Sequence, residues 1–254
     1  MSQTLLETAG LTVRFGGHVA VDAVSCAFRA GELTAIVGPN GAGKTTYFNL
    51  ISGQIAASSG TVTLAGQDIS RLSVAARCER GLGRAFQLTN LFPNLTVLEN
   101  VRLVIQGRRG RGFSLFSMAS AEFELTDAAL VVLERVRLDR LRDHKVAELS
   151  HGNQRKLEVA MLIALEPKVY MFDEPTAGMS VDEAPVVLDL IAELKRDSDA
   201  TILLVEHKMD VIRTLADRIV VLHNGALAAD GPPAEVMASD IVQEAYMGRE
   251  LEDV

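Results

Sequence analysis

The sequence predicts an α/β fold whose core carries an antiparallel β-subdomain and an inserted α-helical subdomain. Three observations support that expectation. Gly38, Pro39, Asn40, Gly41, Ala42, Gly43, Lys44 and Thr45, with Thr46 behind them, fit the spacing G-x-x-x-x-G-K-[ST] between an apolar run and a candidate helix. Ahead of that stretch, apolar and polar residues alternate with period two. Behind it, a helical stretch is followed by alternating helix and strand patterns.

The elements follow in chain order. Leu11, Val13 and Phe15 alternate with polar residues, as do Val24, Cys26 and Phe28, which predicts a half-buried antiparallel sheet. Leu33 to Val37 reads as a buried strand, Thr46 to Ile51 as the first turns of a helix, and Thr61 to Leu64 as a further strand. Gly16-Gly17, Ala30-Gly31 and Ala65-Gly66 mark turns. From about Ser73 to Leu149 the pattern is helical, with apolar spacing over Thr96 to Leu103 and Thr126 to Leu141. Between these, Gln106 to Ser120 reads as an exposed basic loop (Arg108, Arg109, Arg111) with an apolar flank (Phe113, Leu115, Phe116). Ser150 is a candidate N-cap for a helix that stops before Pro167. Val169 to Phe172 is a buried strand, followed by a helix from about Asp182 to Arg196. Asp182 as N-cap is preferred to the Ser180-x-x-Glu183 pattern, because it leaves Pro185 in the first turn. Thr201 to Val205 and Arg218 to Leu222 are strands, and Asn224-Gly225 marks a two-residue hairpin into Ala226 to Ala229.

The glycine-rich stretch carries chemistry. Its glycines let the backbone approach phosphate, its N–H groups and the following helix N-terminus form a positive nest, and Lys44 reaches the β- and γ-phosphates. Thr45 offers a hydroxyl to Mg²⁺. The core is therefore of the P-loop NTPase kind, and the chain binds a nucleoside triphosphate with Mg²⁺. Such a loop needs an acid at the end of another strand. Val169, Tyr170, Met171 and Phe172 bury a strand and Asp173 stands at its mouth, placed to hold the metal. Glu174 follows and is the candidate general base.

Composition narrows the class. Hydrophobic content of 48% and charge of 23% over 254 residues suit a chain with a sizeable core. The 25 basic and 33 acidic side chains give a net charge of −8, against general nucleic-acid binding, which needs basic surface. Cys26 and Cys78 show no metal-ligand spacing and read as buried thiols in a reducing compartment. There is no basic segment leading into an apolar one at the N-terminus, and apolar runs reach roughly seven residues against the ~18 of a spanning helix.

Further motifs, in order along almost the whole chain, give a resemblance to the ATP-binding cassette (ABC) family, the ATPases of membrane transporters. Leu149-Ser150-His151-Gly152-Asn153-Gln154 stands where that family has its signature, usually Leu-Ser-Gly-Gly-Gln. Gln87, in Gly83-Arg84-Ala85-Phe86-Gln87, stands at the family's Mg²⁺- and coupling-loop glutamine, and His207 at its switch histidine. Phe15 takes the place of the aromatic that stacks on adenine. The resemblance implies that Ser150, Gly152 and Asn153 face the ATP of a second, head-to-tail ATPase chain, in a homo- or heterodimer. It implies a single nucleotide-binding domain over 1–254, with core and β-subdomain at about 1–88 and 150–254. The helical subdomain would span about 89–149, with the signature at 149–154. His151 and Asn153 depart from the usual signature, and Thr176-Ala177-Gly178-Met179-Ser180 lacks the usual leucine–aspartate pair.

Within the family, Arg14-Phe15-Gly16-Gly17, Arg84-Ala85-Phe86-Gln87 and Glu174-Pro175-Thr176-Ala177-Gly178-Met179 resemble the ATPase subunits of branched-chain amino-acid importers. So does the ending from Gly231-Pro232-Pro233 through Tyr246-Met247-Gly248. Urea or amide import and lipopolysaccharide export are the neighbouring alternatives; a soluble cassette acting on nucleic acid or the ribosome is the alternative of another class. The implied partners are membrane permease subunits and, indirectly, an extracytoplasmic solute-binding protein, with no nucleic acid. The implied location is peripheral, on the cytoplasmic face of a bacterial inner membrane.

Overall fold

A computed structural model describes residues 3–85, 91–109, 118–197 and 200–239. In chain order the elements are β1 (Thr4–Phe15), β2 (His18–Arg29), β3 (Leu33–Val37), α1 (Lys44–Ser52), β4 (Ser59–Leu64), β5 (Gln67–Asp68), α2 (Val74–Glu79) and β6 (Leu82–Ala85). There follow α3 (Val97–Arg108), α4 (Met118–Arg135), α5 (His151–Leu165), β7 (Val169–Asp173), α6 (Ala184–Asp197), β8 (Thr201–Val205), α7 (Met209–Leu215), β9 (Arg218–His223), β10 (Ala226–Gly231) and α8 (Pro233–Met237). The α/β class with an antiparallel sheet and helices is the one the sequence predicts.

The chain divides into two compact units. The first holds residues 1–84, 168–174 and 195–254. Its six-stranded sheet has the order β10-β9-β3-β8-β7-β6, with β9, β3, β8 and β7 parallel and β10 antiparallel to β9. A four-stranded sheet, β2-β1-β4-β5, pairs antiparallel throughout. Strands β3, β7 and β8 are buried at every position, as sheets covered on both faces require. On one face Ile36, Met171, Leu203 and Leu222 join Leu11, Phe28 and Val62 of the smaller sheet and Tyr47 and Phe48 of α1. On the other, Ala35, Val37 and Val221 meet Ile212 of α7 and Val236 of α8. The period-two alternation of a strand thus feeds two cores at once. Tyr47, fully buried, finds a partner for its hydroxyl in Thr8 Oγ1 at 2.7 Å, tying α1 to β1.

The second unit holds residues 85–167 and 175–194, in which α3, α4 and α5 pack on one another. Helix α5 groups here through its contacts with α3 and α4. Thr96 opens α3 with a full capping box: Glu99 N–H donates to Thr96 Oγ1 at 3.1 Å and Thr96 N–H to Glu99 Oε2 at 2.7 Å.

Several expected boundaries move. Helix α4 runs over 118–135 rather than Thr126 to Leu141, because Arg137 takes a left-handed φ of 56° and a 3₁₀ turn covers Asp139–Leu141. The expected basic loop begins late: Arg108 closes α3 and pairs with Glu166, while Arg109 lies 3.6 Å from Glu124. These two guanidinium groups neutralise carboxylates of their own unit rather than standing as free basic surface. Arg111 and its apolar flank, Phe113, Leu115 and Phe116, lie outside the described residues, as does the ending Tyr246-Met247-Gly248. Helix α6 starts at Ala184, not with Asp182 as cap; Ser180 instead directs its N–H and hydroxyl to Glu183 Oε2, at 3.3 and 3.1 Å. Pro185 stays in the first turn. No helix among the described residues is long and apolar enough to cross a membrane.

Candidate functional site

In the first unit β3 delivers the chain into the glycine-rich loop, and α1 begins at Lys44 with Gly43 as its cap. Two glycines are dictated by space as well as by φ. A Cβ on Gly38 (φ 150°) would stand 2.1 Å from the Leu222 carbonyl oxygen, and one on Gly43 (φ 96°) 2.6 Å from that of Ala20. Both approaches press the loop against β2 and β9. The Asn224-Gly225 hairpin turn, with φ of 49° and 79°, locks it there, because Gly225 N–H donates to the Ala42 carbonyl at 3.1 Å. Lys44, 6% exposed, donates from its ammonium to the carbonyls of Gly38 (2.7 Å) and Pro39 (3.0 Å), so it is held over its own loop.

A cleft of about 290 Å³ opens above this loop, lined by Asn40 through Thr46, by His18 and Ala20 of β2, and by Glu174 and His207. Glu174 leaves the end of β7 in a left-handed conformation (φ 48°), and its N–H is fixed by the Val205 carbonyl at 2.9 Å. That strain at a non-glycine residue aims the side chain toward the loop after β8. There Oε1 meets His207 Nε2 at 2.7 Å. Glu206, 3% exposed, accepts the His207 N–H at 2.8 Å and thereby fixes the turn that carries the imidazole.

Asp173 ends β7 as expected but does not line the cleft; it is fully buried, with Oδ2 2.7 Å from Arg84 Nη2. Phe15 stands half exposed at the end of β1, paired with His18 across the Gly16-Gly17 turn. Gln87 lies outside the described residues.

In the second unit Ser150 caps α5, its hydroxyl oxygen accepting the Asn153 N–H at 3.3 Å and keeping its own proton to donate. Asn153 is half buried with Oδ1 3.4 Å from Lys156 Nζ, and His151 is exposed. Gly152 is buried for a reason the sequence did not give: a Cβ there would fall 2.1 Å from Glu183 Oε2.

Apart from Phe15, Asp173 and Gln87, the predicted residues fall into two groups. Asn40, Gly41, Ala42, Gly43, Lys44, Thr45, Thr46, Glu174 and His207 share one cleft, with Gly38 and Pro39 beneath Lys44; Ser150, Gly152 and Asn153 share one helix N-terminus. Sequence reasoning missed three side chains: His18 in the cleft wall, Arg84 on Asp173 and Glu183 on Gly152. In the sequence Arg84 shows as a charge inside a short strand and as part of the motif before Gln87, neither of which points to Asp173. The first group has donor chemistry suited to an anion. Backbone N–H groups at a helix N-terminus, an ammonium and a hydroxyl line the same cleft as a carboxylate–imidazole pair.

The family model described as "ABC transporter" matches residues 21–177. The high-affinity branched-chain amino acid transport ATP-binding protein LivG of Salmonella typhimurium is 38% identical over 98% of this chain and 99% of its own length. BraF of Pseudomonas aeruginosa, with the same description, is 36% identical over 98% and 99%. A nucleotide-free ATP-binding cassette from an ABC transporter superposes with a TM-score of 0.81 at 30% identity, over 96% of this chain and 99% of that one. The ADP conformation of such a cassette also gives 0.81 at 30%, over 97% and 100%.

Proposed function

The chain belongs to the ABC transporter family, and on that premise we propose that it is the ATP-hydrolysing subunit of an importer of branched-chain or hydrophobic amino acids. It is an ABC-type ATPase. The observation that carries it is the cleft that brings Asn40 through Thr46 together with Glu174 and His207.

Each group has a task there. The loop N–H groups and Lys44 bind the β- and γ-phosphates, Lys44 moving its donors from the Gly38 and Pro39 carbonyls to the phosphate oxygens. Glu174 takes the proton of the attacking water, and His207, 2.7 Å away, holds that carboxylate in place and offers a donor to the γ-phosphate. Phe15 offers an exposed ring for adenine to stack on. The Thr45 hydroxyl and the Asp173 carboxylate are hard oxygen donors suited to Mg²⁺, and Gln87 joins them by its place in the motif. Bound there, Mg²⁺ would neutralise charge on the β- and γ-phosphates.

Ser150, Gly152 and Asn153 present a helix N-terminus for the γ-phosphate of a second, head-to-tail ATPase chain, homomeric or heteromeric. LivG and BraF, transport ATP-binding proteins of similar length, support permease subunits as partners, an extracytoplasmic binding protein as an indirect one, and a place on the cytoplasmic face of the membrane. Replacing Glu174 by Gln tests the core of the reading. ATP still binds, turnover falls at least ~100-fold as a lost general base requires, and a nucleotide-bound dimer accumulates. Hydrolysis at the wild-type rate refutes the assignment.

A further inference from the structure

We propose that Arg84 is a positioning residue for the metal end of the nucleotide site, locking the Asp173 carboxylate to α1 so that the acid meets Mg²⁺ as part of a fixed frame. The inference rests on the reading of Asp173 as a metal-binding acid.

Arg84 lies on β6, and its side chain is 5% exposed beside a fully buried Asp173. One arm of the guanidinium, Nη2, reaches Asp173 Oδ2 at 2.7 Å. The other, Nη1, donates to Asn49 Oδ1 (2.7 Å) and Ser52 Oγ (2.9 Å) on α1, and to Gln54 Oε1 (3.2 Å) just beyond it. The plane of charge also sits 5.6 Å above the Phe48 ring on the same helix. One side chain therefore ties β6, β7 and the helix that begins with Lys44 and Thr45, so the Asp173 carboxylate and the Thr45 hydroxyl are referred to the same rigid element.

Burying this guanidinium is costly. The Asp173 charge beside it offsets only part of the lost hydration. A buried ion pair adds little net stability against an apolar replacement, so a structural role alone explains it poorly. Orientation of a metal-binding carboxylate explains it well, because partners behind metal ligands set ligand geometry and typically alter metal affinity 10- to 100-fold. Lysine could not replace the fork, since its single ammonium cannot span Asp173 and the three α1-side acceptors at once.

The test measures binding of a fluorescent ATP analogue to the purified chain, in EDTA and across a Mg²⁺ titration, for wild type, Arg84→Gln and Arg84→Lys, with thermal melts alongside. In EDTA the variants match wild type within about twofold, while half-saturating Mg²⁺ rises about 10-fold or more for Arg84→Gln and less for Arg84→Lys. A folded Arg84→Gln with unchanged or lower half-saturating Mg²⁺ overturns the proposal. So does an equal loss of affinity in EDTA, which marks collapse of the whole site. Should Arg84→Gln fail to fold, Arg84→Lys and Asn49→Ala decide by the same Mg²⁺ shift. A wild type whose nucleotide binding ignores Mg²⁺ overturns the reading of Asp173 itself, an outcome distinct from metal-dependent wild type with an unchanged variant.

Discussion

His207 Nε2 and Glu174 Oε1 stand 2.7 Å apart although they follow different strands, β8 and β7. The backbone prepares this contact from both sides. Glu174 is turned by its left-handed φ and its N–H bond to Val205, and His207 is held by the buried Glu206. Replacing His207 by Ala leaves the loop and Lys44 untouched but removes this hold on the carboxylate. The kcat for ATP falls about 100-fold while KM moves only a few-fold, as for a group that acts in the transition state. Steady-state hydrolysis separates the two; an unchanged kcat refutes the role.

Lys44 acts on binding instead. The side chain is buried and its ammonium already spans two loop carbonyls, so Lys44→Ala removes both the proposed phosphate partner and a brace within the loop. Loss of charge-assisted hydrogen bonds weakens ATP binding about 10- to 100-fold. Equilibrium binding of a fluorescent analogue measures this. An affinity equal to wild type would remove the loop from the site.

The strand–loop–helix around Gly38 was legible because local rules decide it: an apolar run too short for a helix, then glycines where φ must be positive, then a helix. Strand β7 with Asp173 at its mouth and the Ser150 cap were legible for the same reason. Helix α4 was misplaced because Leu138, fully buried past the left-handed Arg137, continues the apolar spacing after the helix has ended. Spacing reports burial, and burial outlasts the helix. The contacts of Arg84 with Asp173 and of Glu183 with Gly152 join residues far apart in the chain, and no local pattern encodes them.

Arg77 shows how the far end of the phosphate-loop helix is held. It is 3% exposed, and its guanidinium donates to Leu50 (2.8 Å) and Ile51 (2.5 Å) in the last turn of α1, and to Leu72 (3.1 Å) and Ser70 (2.7 Å). A charge there satisfies terminal carbonyls and faces the negative end of the helix dipole. Arg77→Ala removes the guanidinium's hydrogen bonds to the Leu50, Ile51, Leu72 and Ser70 carbonyls and lowers stability by about 3 kcal/mol, while Arg77→Lys recovers only part. Urea unfolding checks both; a loss under about 1 kcal/mol refutes the bracing role.

Gly152 would ordinarily be explained by phosphate alone, yet its own unit also demands glycine. A methyl group there meets the Glu183 carboxylate, which Ser180 holds through its N–H and hydroxyl. Since the obstacle is the end of a flexible side chain, Gly152→Ala does not block folding; it swings Glu183 away and breaks the Ser180 bonds. Losing those costs about 1 kcal/mol, a fall of roughly 2–4 °C in Tm for a chain of this size. Glu183→Ala alone loses the same bonds, so adding Gly152→Ala to it brings no further fall, and the double-mutant cycle reports the coupling. The effect on nucleotide-driven dimerisation behaves oppositely. If the Gly152 N–H serves phosphate on the partner chain, the alanine methyl weakens dimerisation to the same degree with or without Glu183. Rescue of dimerisation by Glu183→Ala would show that the glycine is required for packing within its own unit and not for phosphate.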